Sequence, residues 1–324
     1  MAKNNTMVSA ELDVLVVNYN TATLLQPMFN ALRQSNNADR TRYLVVDNAS
    51  ADNSLECLAN VCPEALQVAN DSNVGFGRAN NQLVEHLQGK YALLLNTDAF
   101  VAADTLNKTL EYMEAHPDCG ILGVRLVGRD GDLQPSCRYF PTPLNVFMAR
   151  TGLERFFPGV KKVDDMTWDH NSVRECDWVP GCYYLIRREV IDQVGLFDPR
   201  YFLYYEEVDH CKRVKQAGWK VVYYPHTTVV HIGGESAKSV DALNAASRQI
   251  PKLQIESELL YFRKHHGLLG LAWHMLLVSL GDLILALKAL LKGRGRAAIG
   301  ACWQHARATW ALLRDTRLAS QPTR

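Results

Sequence analysis

The chain has 324 residues, 48% hydrophobic, 21% charged and 9% aromatic, a balance that fits a large buried core and excludes disordered, collagen-like and low-complexity chains. The net charge of +1 hides an asymmetry: residues 261–324 carry ten Lys/Arg against only two acids, Asp282 and Asp315, which points to an anionic partner surface. The eight cysteines lack the paired spacing of a zinc site or a disulfide framework and read as reduced, buried hydrophobes, and the polar start MAKNNTMVSAELD has no apolar secretory signal, so a cytoplasmic protein is expected.

From Leu12 onward, short apolar β-branched runs alternate with stretches of helical spacing, the pattern of βαβ units on a parallel sheet. Strands are predicted at 12–18, 43–47, 65–69, 91–96 and 121–127. Periodicity fails between Gly128 and Asp177, where prolines and glycines mark loops that shape a cleft. Regular structure returns at 178–187, followed by a helix from about Arg188 and another from Glu206 to Ala217. A strand pair, 220–224 and 228–231, closes the domain. The stretch 268–291 is long and apolar enough for a membrane span, but the internal His274 and Asp282 favour an interfacial amphipathic helix flanked by Lys288, Lys292, Arg294 and Arg296, with a buried hairpin or dimer face as the alternative.

In an open parallel sheet, ligands sit outside the carboxyl ends of the strands. Here four apolar runs in succession lead into polar residues there: Asn18-Tyr19-Asn20, Asp47-Asn48-Ala49-Ser50, Asn73-Val74-Gly75-Phe76-Gly77 and Asn96-Thr97-Asp98. Thr21 and Asp52 read as helix N-caps. Gly75-Phe76-Gly77 starts like a dinucleotide fingerprint, but Asn80 stands at the third glycine and the motif follows the third strand, which disfavours NAD. Two glycines opening a helix still let backbone approach a phosphate or sugar, with Arg78 adding a cation. Asp98 at a strand end suits a hard divalent metal, and His231, also ending an apolar run, is its candidate partner. In Tyr204-Tyr205-Glu206-Glu207-Val208-Asp209-His210, aromatic residues precede adjacent carboxylates at a helix start; first-turn capping and a partly desolvated general base both fit this pattern.

Together, VVNYN, VVDNAS, NVGFGRANN, LLLNTD, WVPGCYYLIRRE, GLFDPRYFLYYEEVDHCKR and AGWKVVYYPHTTVVHIGGES closely resemble the bacterial family 2 glycosyltransferases, within them the rhamnosyltransferase-like enzymes of O-antigen and surface polysaccharide synthesis, from Leu12 to Ser236. The resemblance implies an α/β GT-A fold with a Rossmann-like, mostly parallel sheet at 12–236, between a flexible N-terminus (1–11) and a helical, membrane-associating appendage (237–324). It also implies inverting transfer, most readily of L-rhamnose from dTDP-L-rhamnose, with a UDP-sugar as the other donor, to a hydroxyl of a lipid-linked or lipopolysaccharide glycan on the cytoplasmic face of the inner membrane. Mg²⁺ or Mn²⁺ would be the cofactor, a homodimer is possible, and no nucleic acid is expected. By position, Asn18 and Asn20 line the nucleotide edge and Asp47 reads the base. Asn73, Gly75, Gly77 and Asn80 border nucleotide and sugar, Asn96-Thr97-Asp98 takes the D-x-D place, Asp98 and His231 hold the metal, and Trp178 and Gly181 frame donor sugar and acceptor. The usual Glu-Asp pair is here Glu206-Glu207, so the base role falls to Glu207 or passes to Asp209. Asn96 and Glu207 depart from the family pattern and leave a non-catalytic nucleotide-sugar-binding scaffold protein as the alternative.

Overall fold

The computed structural model describes residues 11–35, 40–233, 243–293 and 295–324. The expected flexible N-terminus, apart from Glu11, and the end of the expected transferase domain from Gly234 lie outside the described residues.

The chain begins β1 (Leu12–Asn18), α1 (Ala22–Gln34), β2 (Thr41–Asp47), α2 (Ser54–Val61), β3 (Leu66–Ala69), α3 (Phe76–Gln82) and β4 (Tyr91–Leu95). It continues through β5 (Ala99–Val101), α4 (Thr105–Ala115), β6 (Cys119–Val127), β7 (Leu133–Gln134), α5 (Pro143–Thr151), β8 (Arg174–Glu175), β9 (Tyr183–Arg187), α6 (Arg188–Val194), α7 (Glu206–Gln216), β10 (Lys220–His231), α8 (Leu243–Leu291) and α9 (Gly295–Asp315). The five predicted strands form within a residue or two of their expected limits. They read as unbroken apolar runs because the central strands are covered on both faces. Leu15, Leu44, Leu94 and Tyr184 point into one core, while the alternating Val14, Val16, Leu93 and Tyr183 point into the other.

The sheet order is β3-β2-β1-β4-β9-β6-β10-β5. The Rossmann-like parallel part is β3-β2-β1-β4; β9 then lies antiparallel between β4 and β6, and β10 runs parallel to β6, so the whole is a mixed α/β sheet with flanking helices. The predicted strand pair at 220–231 is instead the single strand β10, which carries a register shift between Tyr224 and Thr228. Pro225, in the gap between the two expected strands, is absorbed in that irregularity, where no ladder N–H is needed.

The carboxy-terminal region is helical, as expected. α8 breaks at Gly267, whose φ of 67° only glycine adopts freely, giving two limbs, 243–266 and 268–291. The second limb packs on α5 and α9. Its Asp282 is buried between Arg150 and His305: Arg150 donates to Asp282 Oδ1, His305 Nδ1 lies 3.0 Å from Oδ2, and Arg150 Nη1 lies 2.6 Å from His305 Nε2. The acid that would be costly in lipid is satisfied inside the protein. Lys288, expected to face headgroups, donates to Thr151 O at 2.7 Å.

Candidate active site at the carboxyl edge of the sheet

β1 and β2 end side by side, and their terminal residues are tied together. Asn18 Nδ2 donates to Asp47 Oδ2 at 2.7 Å and to Ser50 Oγ at 3.0 Å, and Ser50 N donates to Asp47 Oδ1 at 2.9 Å. Asn20 joins by accepting from Ala51 N and donating its own N–H to Ser50 Oγ. Asn20 and Ala49 both have positive φ, 55° and 64°, a cost that non-glycine residues carry at sites over-determined by their surroundings. Thr21 does not cap α1 as expected. Its hydroxyl lies 2.7 Å from Asn18 Oδ1 and 2.9 Å from Thr97 Oγ1, linking the ends of β1 and β4. The cap comes from Asp52, which accepts from Ala22 N at 3.0 Å.

The glycine-bearing loop sits beside this network. Asn48 Nδ2 donates to Asn73 Oδ1, which also accepts from Gly75 N at 2.9 Å. Gly75 has φ 89°, and a Cβ there would stand 2.3 Å from Phe202 O, so the backbone approach needs glycine on two counts. A Cβ on Gly77 would meet Glu206 Cβ at 3.7 Å, and one on Gly181 would meet the Phe76 ring at 3.6 Å. α3 is thereby packed against both the 178–182 loop and the start of α7. Asn80 is buried and turned inward, donating to Phe76 O. Arg78 faces away from the β1–β2 network: its guanidinium donates to Pro199 O at 2.7 Å and Arg324 O at 2.9 Å.

Asp98 and His231 come together because β5 and β10 are paired antiparallel, with Ala99 opposite His231. Asp98 Oδ1 lies 3.5 Å from His231 Nε2, and both side chains are largely buried. Gln134 holds the other side of the ring: its Nε2 donates to His231 O and its Oε1 lies 2.9 Å from His231 Nδ1. That arrangement puts the proton on Nδ1 and leaves Nε2 as a lone-pair donor toward Asp98. Burial keeps the His231 pKa below its ordinary value despite the neighbouring Asp98, so the ring is neutral near pH 7. Asn96 is fixed through its backbone, its N–H donating to Cys182 O.

α7 begins abruptly. Tyr204 and Tyr205 have φ of 70° and 68°, two consecutive left-handed non-glycine residues, immediately before Glu206 and Glu207. Both glutamates carry a buried Oε2 with no hydrogen-bond partner among the described residues. Burial raises both pKa values. Glu206 goes well above the ordinary carboxyl range, with the charge of Glu207 adding to the effect, whereas a backbone hydrogen bond and then the Arg138 charge offset part of the rise at Glu207. The buried Cys182 thiol is raised first by burial, with the charges of Asp98 and Glu207 adding to it. Trp178 is buried behind, its Nε1 donating to Tyr139 O and its ring 4.0 Å from the Arg138 guanidinium.

Asp209 stands apart from that pair. It is fully buried and bonded to Arg213 at 2.9 Å, Lys264 at 2.6 Å and His265 at 2.7 Å; these partners hold it at about 2 although burial alone would raise it. Sequence reasoning missed Gln134 and Arg138, which lie four residues apart in the aperiodic QPSCR stretch. Their only signal is that polar residues stand there amid loop residues.

Residues 13–177 match the pattern of the family described as "Glycosyl transferase family 2". The chain belongs to this family. Among the relatives of this glycosyltransferase chain, the N-acetylglucosaminyl-diphospho-decaprenol L-rhamnosyltransferase of Mycobacterium tuberculosis is 28% identical over 201 residues, covering 58% of the chain and 65% of the relative's own length. The rhamnosyltransferase WbbL of Escherichia coli K12 is 27% identical over 218 residues, 64% of this chain and 80% of WbbL. In fold, the chain is similar to a Pyrobaculum calidifontis mannosyltransferase solved with GDP-Man and Mn²⁺, at 16% identity and a TM-score of 0.53 over 97% of this chain and 89% of that one. These likenesses agree with a GT-A-type architecture.

Proposed function

We propose that this chain transfers a sugar, L-rhamnose from dTDP-L-rhamnose, with inversion onto a hydroxyl of a lipid-linked or lipopolysaccharide glycan at the cytoplasmic face of the inner membrane. Two relatives named as rhamnosyltransferases support the sugar, and one whose name specifies a diphospho-decaprenol acceptor supports the lipid carrier. The observation that carries the catalytic reading is the Glu206–Glu207 pair, buried, unpartnered at Oε2 and held behind two strained tyrosines.

The two glutamates divide the work by environment. Burial raises both, Glu206 further because the charge of Glu207 adds to it, while a backbone hydrogen bond and then the Arg138 charge offset part of the rise at Glu207, which makes Glu207 the base of this reading. Glu207 takes the proton of the acceptor hydroxyl as that oxygen bonds to the anomeric carbon and the bond to the diphosphate breaks. Asn18, Asn20, Asp47 and Asn73 hold the nucleotide edge, with Gly75, Gly77 and Asn80 bordering nucleotide and sugar, Asn96 and Thr97 flanking the diphosphate, and Trp178 and Gly181 framing the sugar. Asp98 and His231 would hold a divalent cation, one hard oxygen and one imidazole nitrogen fixed by Gln134. No third His, Cys, Asp or Glu joins them among the described residues, so donor phosphates and water would complete the shell, and the ion would neutralise charge on the departing diphosphate.

Thermal unfolding with dTDP-rhamnose, UDP-sugars and GDP-mannose, each with and without Mn²⁺, tests the reading. Donor at a hundred times its Kd adds about 2.7 kcal/mol, a shift of several degrees. The expected result is a metal-dependent shift with dTDP-rhamnose that Glu207→Gln retains while losing transfer by about 10²–10⁴-fold. No shift with any donor, or normal turnover in Glu207→Gln, overturns it.

A further inference from the structure

On the second limb of α8, Trp273, Leu276, Leu280, Leu283, Leu287 and Leu290 recur at alternating intervals of three and four and leave 42–66% of their surface exposed. The opposite face is buried, with His274, Met275, Val278, Asp282 and Ala289 packed into the protein. α9 lies alongside, and Trp310 Nε1 reaches Ser279 Oγ at 3.3 Å. Its own outer face alternates aromatic and cation: Arg296, Trp303, Arg307, Trp310 and Arg314 are all exposed. Between 268 and 318 the only acids are Asp282, buried against Arg150, and Asp315, which pairs with Arg314. Arg296 and Arg307 have no acidic partner among the described residues.

We propose that this two-helix arm docks flat on an anionic lipid bilayer, with the leucine stripe in the acyl boundary and the Trp–Arg stripe of α9 at the headgroups. An apolar stripe next to tryptophans and unpaired arginines is the composition of an interfacial helix. From Trp273 to Leu290 the stripe runs about 26 Å along the helix axis, parallel to the surface. A spanning orientation would have to strip α5 and α9 from the buried face and leave Asp282, Arg150 and His305 in hydrocarbon. A second copy seated on the same stripe would bring two rows of arginines toward one interface with no free acid to offset them. The inference rests on the proposed lipid-borne acceptor, to which docking would bring the catalytic cleft.

The test uses the full chain with vesicles of phosphatidylcholine alone or mixed with phosphatidylglycerol. Expected are co-sedimentation with the anionic vesicles only, weakening as salt rises, and loss of at least about tenfold in Arg307→Glu/Arg314→Glu. Leu280→Asp/Leu287→Asp, on exposed positions, should lose binding to the same degree while keeping the wild-type thermal midpoint. Tryptophan fluorescence should be quenched by lipids brominated near the headgroup. Stronger quenching by chain-end bromines would overturn the flat orientation. No vesicle binding, or a lipid-free dimer on sedimentation equilibrium that Leu280→Asp/Leu287→Asp dissolves, would overturn the lipid assignment. Glycosylation of a water-soluble acceptor without vesicle binding removes the docking and leaves the proposed function; vesicle binding without transfer to any acceptor does the reverse.

Discussion

Tyr205 shows how one residue connects distant parts of the chain. Its left-handed backbone sets the direction of the first turn of α7, and its hydroxyl donates to Glu258 Oε2 at 2.9 Å across to the first limb of α8. Glu258 Oε1 is in turn 2.9 Å from His274 Nε2, beyond the Gly267 break. Ser257 Oγ adds a bond to Leu203 O at 2.9 Å. If Glu207 is the base as proposed, Glu258 positions it through Tyr205. A carboxylate misplaced by about an ångström costs about a hundredfold in rate. Glu258→Gln is therefore expected to lower kcat by about 10- to 100-fold with the donor KM nearly unchanged, and Tyr205→Phe to reproduce it; initial-rate kinetics read both. A loss confined to thermal stability, with kcat intact in the folded fraction, would reduce Glu258 to a packing residue.

At the scale of elements, α7 joins chemistry to stability. His210, fully buried one turn into the helix, has Nε2 2.9 Å from Gly195 O and Nδ1 2.9 Å from Tyr184 OH, the contacts of a neutral ring. Burial, with Arg213 adding to it, lowers its pKa from 6.5 to about 3. Because the folded value lies below the unfolded one, the unfolded state binds more protons, and stability falls as pH drops from about 6.5 toward 3, by up to about 1.4 kcal/mol per pH unit. Asp209, held at about 2, adds loss in the same direction below its ordinary value of 3.8, whereas Glu206, raised by burial, acts in the opposite sense above 4.5. Urea unfolding of wild type and His210→Gln between pH 7 and 5 isolates the histidine: the wild type should show the steeper loss, and identical slopes would refute the buried neutral ring.

The same elements show what local pattern carries. Strands with both faces covered and the helix that stops before Gly218 were legible, because burial and helix termination are written into adjacent residues. β10 was not: residues 225–227 interrupt the apolar pattern, and only the parallel neighbour β6 makes a continuous strand the better solution. The candidate site was legible wherever a residue ends an apolar run, as Asn18, Asp47, Asp98 and His231 do. Gln134 was hidden because it meets His231, 97 positions away, and Arg138 because it meets Asp164 and Trp178, 26 and 40 positions away, and nothing in their own surroundings records this. Arg78 and Asp209 read as site residues by position, but their charges are taken up by Pro199, Arg324, Lys264 and His265.

For the whole molecule, the carboxy-terminal helices are bound to the face that carries the candidate site through several joints. Lys264 bridges Asp198 at 2.7 Å and Asp209 at 2.6 Å, Glu256 accepts from Thr323 N and Oγ1, and the Arg324 guanidinium stands 5.0 Å from the ring of Phe202, whose carbonyl accepts from Phe76 N. Removing 268–324 would take away the buried Leu271, Met275, Leu277, Val278 and Leu313, at about 1.5–3 kcal/mol for each large apolar side chain. It would also leave Arg150 without Asp282 and His305 and Glu258 without His274. That total matches the 5–15 kcal/mol by which domains are stable at all. The truncated chain is therefore expected to aggregate or to lose its cooperative thermal transition, and to lose transfer even to a water-soluble acceptor. A truncated protein that stays monomeric, melts at the wild-type midpoint and retains transfer would show that the arm is an appendage whose contacts with Arg78, Phe202 and Glu256 do not govern the site.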